Sequence, residues 1–193
     1  LSIFALGTLV SVQLADPTTP EQLAELQTLL SESLDEFETE WSVRRAGALS
    51  AVNEALSQSA TAPLPTKLQA DFVLARSWCQ ASQGAFDPAV GRLVALWGFE
   101  DDSEARSTPP SADELTAVPR ASWCDAEIKE QWVRLSNAGI RLNFGAMAKG
   151  RAVGRLTELL RTQGFNNFIV NAGGDLQVAG EHPQRPWRIG VRD

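Results

Sequence analysis

The chain has one histidine, two cysteines and no run of basic residues, and each scarcity removes a class of function. His182 sits in "GEHPQRP", beside a proline in a turn-like stretch, so it reads as a surface residue. A Ser/His/Asp triad would have to recruit it without any accompanying nucleophile motif. Cys79 and Cys124 each neighbour a tryptophan, Trp78 and Trp123, and show no CxxC or Cys/His spacing, which excludes a zinc site of the usual kind. Two apolar thiols in or near a core is the simpler reading, and a disulfide stays open because pairing depends on geometry. The formal charge of -7 and the pI near 4.8 argue against nucleic acid as a partner, since no Lys/Arg cluster could track phosphates. No apolar run reaches bilayer length, which predicts a soluble chain. The opening "LSIFALGTLV" lacks the basic flank and cleavage pattern of a signal peptide, and an exported protein would already have lost one, so the compartment stays open. Internal repeats and low-complexity tracts are missing too, and 193 residues suffice for one domain with a real core.

What is present reads as alternating strands and helices. "GTLVSVQL" has the period-two pattern of a strand, with Val10, Val12 and Leu14 on one face. After the turn and cap residues of "ADPTTP", Leu23, Leu26, Leu30, Leu34 and Phe37 recur at helical spacing, with Pro20 suited to a first turn. The pattern weakens over 42–65 and becomes helical again over 68–82. "GAFDPAVGRLVALWGFEDD" predicts a structured loop with a short helix, opened by Gly84 as a left-handed helix end. "DDSEARSTPPSADELTAVPR" predicts an exposed excursion with a short helix near "SADEL". Further on, the spacing predicts a strand over 141–144, a helix over about 148–163 stopped by Gly164, and a hairpin in "NNFIVNAGGDLQVAG" turning at Gly173 and Gly174. Trp187, Ile189 and Val191 alternate with Arg188, Gly190 and Arg192 as a last strand. Strands around a helix suggest an α+β domain.

Two stretches invite chemistry. "LNFGAMAKGRAVG" places Lys149 between Gly145 and Gly150, where a strand is expected to turn into a helix. First-turn N–H groups lack intrahelical partners and can bind an anion, the lysine would add a point charge, and the glycines would let a phosphate approach the backbone. The spacing fits neither a Walker A loop nor a Rossmann fingerprint, and a solvated lysine between packing glycines is the competing reading. In "GAFDPAVG", Asp87 would by itself be a turn former or cap before it is a ligand contact. "NAGGD" reads best as a hairpin turn, with Asp175 left as a residue that could face a site.

Taken in order, "ALGTLVSVQL", "GAFDPAVGRLVALWGF", "NFGAMAKGRAVGRL" and "NAGGDLQVAG" resemble the ApbE family of FAD:protein FMN transferases across nearly the whole chain. The resemblance implies an α+β fold, a mixed, largely antiparallel sheet flanked by helices of the ApbE-like, T-fold-related kind, in a single domain over residues 1–193. It implies magnesium-dependent transfer of FMN from FAD to a threonine or serine hydroxyl of an acceptor protein, with release of AMP. Lys149 matches the flavin-nucleotide-binding lysine, and Ala146 matches a position whose backbone carbonyl helps hold Mg2+. Ala85, Phe86 and Asp87 match an FAD-contacting segment, and Leu6 stands where the family often has methionine before Gly-Thr. Trp41 in "FETEWS" is the nearest match to a flavin-contacting aromatic. The catalytic base stays unassigned.

Asn143 departs from the aspartate common in "DLGAxAKG", keeping a hydrogen-bonding oxygen but losing a charge. The family continues past the point matched by "WRIGVRD" with a segment carrying a histidine and the Asp/Thr side chains that complete the magnesium site, so against the resemblance the C-terminal portion is expected to be missing from these residues. Two further readings follow: an FAD-binding module without turnover, and an FAD pyrophosphatase in which water replaces the acceptor hydroxyl. The implied partners are FAD and the acceptor protein, with no nucleic acid, and with membrane association only through a lipid anchor outside these residues. The implied location is the periplasm or cell envelope.

Overall fold

The computed structural model describes residues 1–100 and 106–190. They form two compact units, Leu1–Glu38 with Gly145–Asp193, and Thr39–Phe144.

The first unit is built on a four-stranded antiparallel sheet in the order β1-β2-β6-β7. Strands β1 (Ser2–Ala5) and β2 (Thr8–Leu14) make a hairpin, and β2 pairs with β6 (Phe168–Ala172), which makes a second hairpin with β7 (Asp175–Ala179). Both hairpins turn on two residues in the left-handed region, Leu6 and Gly7 in the first, Gly173 and Gly174 in the second. The alternation in β2 is as expected: Val10 and Val12 are buried and Leu9 is exposed. Helix α1 (Pro20–Trp41) runs out of this unit at its last turn, and its buried stripe is Leu26, Leu30, Leu34 and Phe37. Helix α6 (Gly145–Thr162) packs on β6 and β7, and its Arg155 reaches α1, 2.6 Å from Glu36 and 3.1 Å from Ser33. Asp16, just after β2, accepts three hydrogen bonds, from the backbone N–H of Asn166 and Asn167 and from the Asn167 amide, and so ties the approach to β6.

The second unit holds helices α2 (Ala48–Gln58), α3 (Thr66–Ala81), α4 (Gly91–Leu96) and α5 (Ala112–Ala117). Its three short strands, β3 (Thr61–Pro63), β4 (Glu127–Ile128) and β5 (Trp132–Arg134), pair antiparallel in the order β3-β5-β4. Helix α5 is capped as "SADEL" suggests: Ser111 and Glu114 exchange hydrogen bonds across the first turn, and Arg106 beside Glu114 holds that carboxyl down at about 2. The core here is aromatic. Phe144 stacks on Phe72 at 5.0 Å and meets Trp123 and Trp41 edge-on at 5.7 and 5.8 Å.

Four expectations are corrected. Residues 141–144 do not form a strand, because no strand among the described residues lies alongside: Arg141 and Asn143 bond to the 88–91 segment, and Leu142 bonds to a side chain, that of Asn53. Helix α6 starts at Gly145 rather than near 148, so Lys149 stands in its second turn. Trp187 to Gly190 pair with no strand among the described residues, and Val191 and Arg192 lie outside them. The two cysteines are not free thiols: Cys79, near the end of α3, is bonded to Cys124 in the 3-10 turn Trp123–Asp125, with Cα atoms 5.1 Å apart. The weakly patterned 42–65 stretch contains α2, whose apolar face is Leu49, Val52 and Leu56.

Candidate functional site

Around Asp87 the local structure follows from helix-end chemistry. Helix α3 finishes at Ala81, Gln83 and Gly84 take left-handed backbone, and the Gly84 N–H closes on the Cys79 carbonyl at 2.9 Å. Ser82 then accepts from the Phe86 N–H at 3.0 Å, which sets Phe86 edge-on to Trp78, while Ala85 stays exposed. Asp87 is the cap of the 3-10 turn Pro88–Val90, accepting from the Ala89 N–H at 2.9 Å. The same carboxylate accepts from the Trp123 N–H at 3.2 Å and from the Ser122 hydroxyl at 3.3 Å. Its oxygens are thus engaged by protein donors, and the turn-and-cap reading describes them.

The segment carrying Asn143 is gripped from both edges. On one side the Gly91 N–H donates to the Arg141 carbonyl at 2.9 Å and the Asn143 N–H donates to the Pro88 carbonyl at 2.8 Å. The approach is close enough that a Cβ on Gly91 would lie 2.6 Å from the Arg141 oxygen, which is why glycine stands there. On the other side the buried Asn53 amide donates to the Leu142 carbonyl at 3.0 Å and accepts from the Leu142 N–H at 2.7 Å. The "FDPAVG" and "NFG" motifs, more than fifty residues apart in sequence, therefore share one backbone junction. Trp41 joins this cluster through its edge contact with Phe144.

Leu6, Ala146 and Lys149 belong to the other unit. Leu6 occupies a left-handed position, uncommon for a branched residue, and its N–H donates to the Glu38 carboxylate. Ala146 is exposed in the first turn of α6. Lys149 is half-buried, and its ammonium makes no hydrogen bond or ion pair with the described residues, in contrast to Lys67, which pairs with Glu40 at 3.0 Å. Gly150 beside it leaves open space where a Cβ would be. An unpartnered ammonium in the second turn of a helix, near its N-terminal N–H groups, attracts an anion.

For Mg2+ the fit is poor. Among the described residues no group of three His, Cys, Asp or Glu side chains could hold a metal ion, which leaves the Ala146 carbonyl, already inside the helix, as the one donor the resemblance offers.

Asn53, Glu38, Ser122 and the Trp123 N–H were not foreseen. Asn53 carried a usable signal, an asparagine on the apolar face of α2 between Leu49 and Leu56, where a polar side chain needs a partner. Ser122 and Trp123 act through local geometry that no spacing reveals.

A family model described as "ApbE family" matches residues 6–193. The FAD:protein FMN transferase of Rhodobacter capsulatus is 33% identical over 196 residues, covering 100% of this chain and 37% of that protein. The FAD:protein FMN transferase of Treponema pallidum is 29% identical over 168 residues, covering 78% of this chain and 45% of that protein. Among solved structures, flavin transferase ApbE from Vibrio cholerae superposes with a TM-score of 0.82 at 25% identity, covering 99% of this chain and 62% of that one. The ApbE protein from Thermotoga maritima gives 0.82 at 26% identity, covering 100% and 62%. The chain thus spans under half the length of these two curated relatives and somewhat under two thirds of these solved chains.

Proposed function

The chain belongs to the ApbE family, and we propose that it acts as an FAD:protein FMN transferase, which moves FMN from FAD to a threonine or serine hydroxyl of an acceptor protein and releases AMP. The observation that carries this reading is Lys149: a half-buried ammonium with no partner among the described residues, in the second turn of a helix, beside a bare glycine. Its charge would oppose that of the FAD pyrophosphate, and the α6 N-terminus adds favourable N–H dipoles. In the transfer, the acceptor oxygen bonds to the FMN phosphorus, the bond from that phosphorus to the bridging oxygen breaks, and AMP leaves with the electron pair while the hydroxyl proton passes to a base. Lys149 would stabilise charge developing on the phosphoryl oxygens. Residues 85–87 would meet FAD through exposed backbone and the Phe86 ring, since the Asp87 carboxylate is engaged by Ala89, Ser122 and Trp123. Leu6 and Trp41 would offer apolar contact to the flavin, and Asn143 a hydrogen-bonding side chain. Magnesium dependence is part of the family expectation, but the described donor set does not build a metal site, and no step here is derived through the ion.

The Cys79–Cys124 disulfide supports an oxidising compartment, in keeping with the periplasm or cell envelope. The test is incubation of the full chain with FAD, Mg2+ and an acceptor domain, read by mass spectrometry of the acceptor and chromatography of the nucleotides. A flavin adduct with AMP is expected. AMP with free FMN would make the chain a pyrophosphatase, and intact bound FAD would make it a binding module. Lys149→Ala is expected to weaken FAD binding by about tenfold or more, as loss of a charge-assisted contact should; an unchanged affinity removes the lysine from the site.

A further inference from the structure

We infer that Asn53 is a positioning residue: its side chain stands in for a neighbouring strand and fixes the backbone of Leu142 on both sides of its Cα, and through it the side chain of Asn143. The inference rests on the proposed FAD-binding role of the 143–149 motif.

An extended segment directs the backbone groups of successive residues to opposite edges. Here the odd-numbered residues face one way, with the Arg141 carbonyl taken by the Gly91 N–H and the Asn143 N–H given to the Pro88 carbonyl. Leu142 faces the other way, where no strand among the described residues runs. Its N–H and carbonyl would be buried and unpaired, since Leu142 is 0% exposed, but the Asn53 amide supplies one acceptor at 2.7 Å and one donor at 3.0 Å. A carboxamide is the side chain whose donor and acceptor match the carbonyl and the N–H of one residue, which belong to two successive peptide groups. Asn53 is itself 8% exposed and lies 89 residues away in sequence, so the pair is a tertiary lock rather than a local turn. Lost on that edge, the segment keeps its backbone bonds to 88–91 and the side-chain contacts of Arg141 and Phe144, but the backbone of Leu142 between them is no longer held, which loosens the peptide that carries Asn143.

The test compares Asn53→Ala with Leu68→Ala, a core truncation in the same unit that loses stability while removing none of this segment's hydrogen bonds. Thermal unfolding, amide exchange and FAD affinity are measured on the full chain, well below the unfolding transition. The expected result is faster exchange at Leu142, Asn143 and Gly91 and an FAD affinity lower by about tenfold, from a pair of buried peptide groups left unpaired, with neither change in Leu68→Ala. Equal effects in both variants would reduce Asn53 to a stabilising residue and overturn the inference, as would unchanged exchange at Asn143. Should Asn53→Ala not fold, Asn53→Asp serves: it keeps the acceptor for the Leu142 N–H, sets an oxygen against the Leu142 carbonyl, and is expected to show the same exchange pattern. If the unsubstituted chain fails to bind FAD, the functional reading falls, and the exchange pattern alone decides whether Asn53 fixes the segment.

Discussion

Asp87 and Trp123 are joined by a hydrogen bond in which the tryptophan backbone N–H lies 3.2 Å from both carboxylate oxygens. One aspartate thereby connects the "FDP" turn to the residue whose ring packs against Phe72 and Phe144 and whose neighbour, Cys124, carries the disulfide. The stretch that resembles an FAD-contacting segment is held from behind by a core, which is how a loop becomes a preorganised surface.

Asp87→Asn should therefore destabilise the second unit. An amide keeps one acceptor but puts an NH2 in place of the other oxygen, where it meets the Trp123 N–H as a donor against a donor and no longer accepts from the Ser122 hydroxyl. The expected loss is about 1–3 kcal/mol, read as a lower urea midpoint together with faster exchange at the Ala89 and Trp123 amides. An unchanged midpoint would free the carboxylate for a ligand.

Reducing the disulfide should cost more. Cys79 and Cys124 are 45 residues apart, and for a loop of that size the chain-entropy estimate is about 4 kcal/mol. A Cys79→Ser, Cys124→Ser double variant, or a phosphine reductant on the unsubstituted chain, is expected to lower the denaturation midpoint by a corresponding amount. Equal midpoints with and without reductant would show that the bond is absent in the folded protein.

How much of this was legible in the residues differs by element. Amphipathic stripes such as Leu26, Leu30, Leu34 and Phe37, and the Gly173-Gly174 hairpin, are local signals, and they read correctly. The helix carrying Lys149 was expected to begin near residue 148, because the apolar residues that repeat at helical spacing start at Ala152, whereas the helix itself starts at Gly145. The 141–144 segment alternates like a strand but finds a loop and an amide as partners, which only tertiary structure can disclose. The same holds for Cys79 and Cys124, whose pairing depends on where α3 ends relative to residues 122–125. The site motifs were recognisable as strings; the residues that hold them, Asn53, Ser122 and Glu38, were not.

Acid should weaken the first unit through Asp16. Burial works against its charge, but the hydrogen bonds from the Asn167 side chain and the Asn167 and Asn166 backbone N–H groups outweigh it and lower the pKa below its ordinary 3.8. A depressed carboxyl contributes stability that is fully present above the unfolded pKa and is lost as pH falls through the folded value. Asp16→Asn should lower the urea midpoint at pH 6 and differ less from the unsubstituted chain as pH drops below 3.8. A gap between the two that is constant with pH would show that the ionised form is not what the asparagines hold.

Gly150 and Gly154 together test whether a glycine is kept for a ligand or merely tolerated. Both lie inside α6, and at neither would a Cβ meet any atom within 4 Å. On helix propensity alone each Gly→Ala substitution should stabilise the protein by about 0.5–1 kcal/mol. If the open space beside Lys149 is where a pyrophosphate approaches, Gly150→Ala should raise the midpoint and yet weaken FAD binding several-fold, a gain in stability set against a loss in function of the kind seen at working sites. Gly154→Ala, one turn further along, should give the stability without the loss. Thermal midpoints and FAD titrations on the two variants decide it. Two equally stabilised proteins with unaltered FAD affinity would mean that the phosphates do not lie over Gly150, and the anion would have to meet Lys149 from its other side.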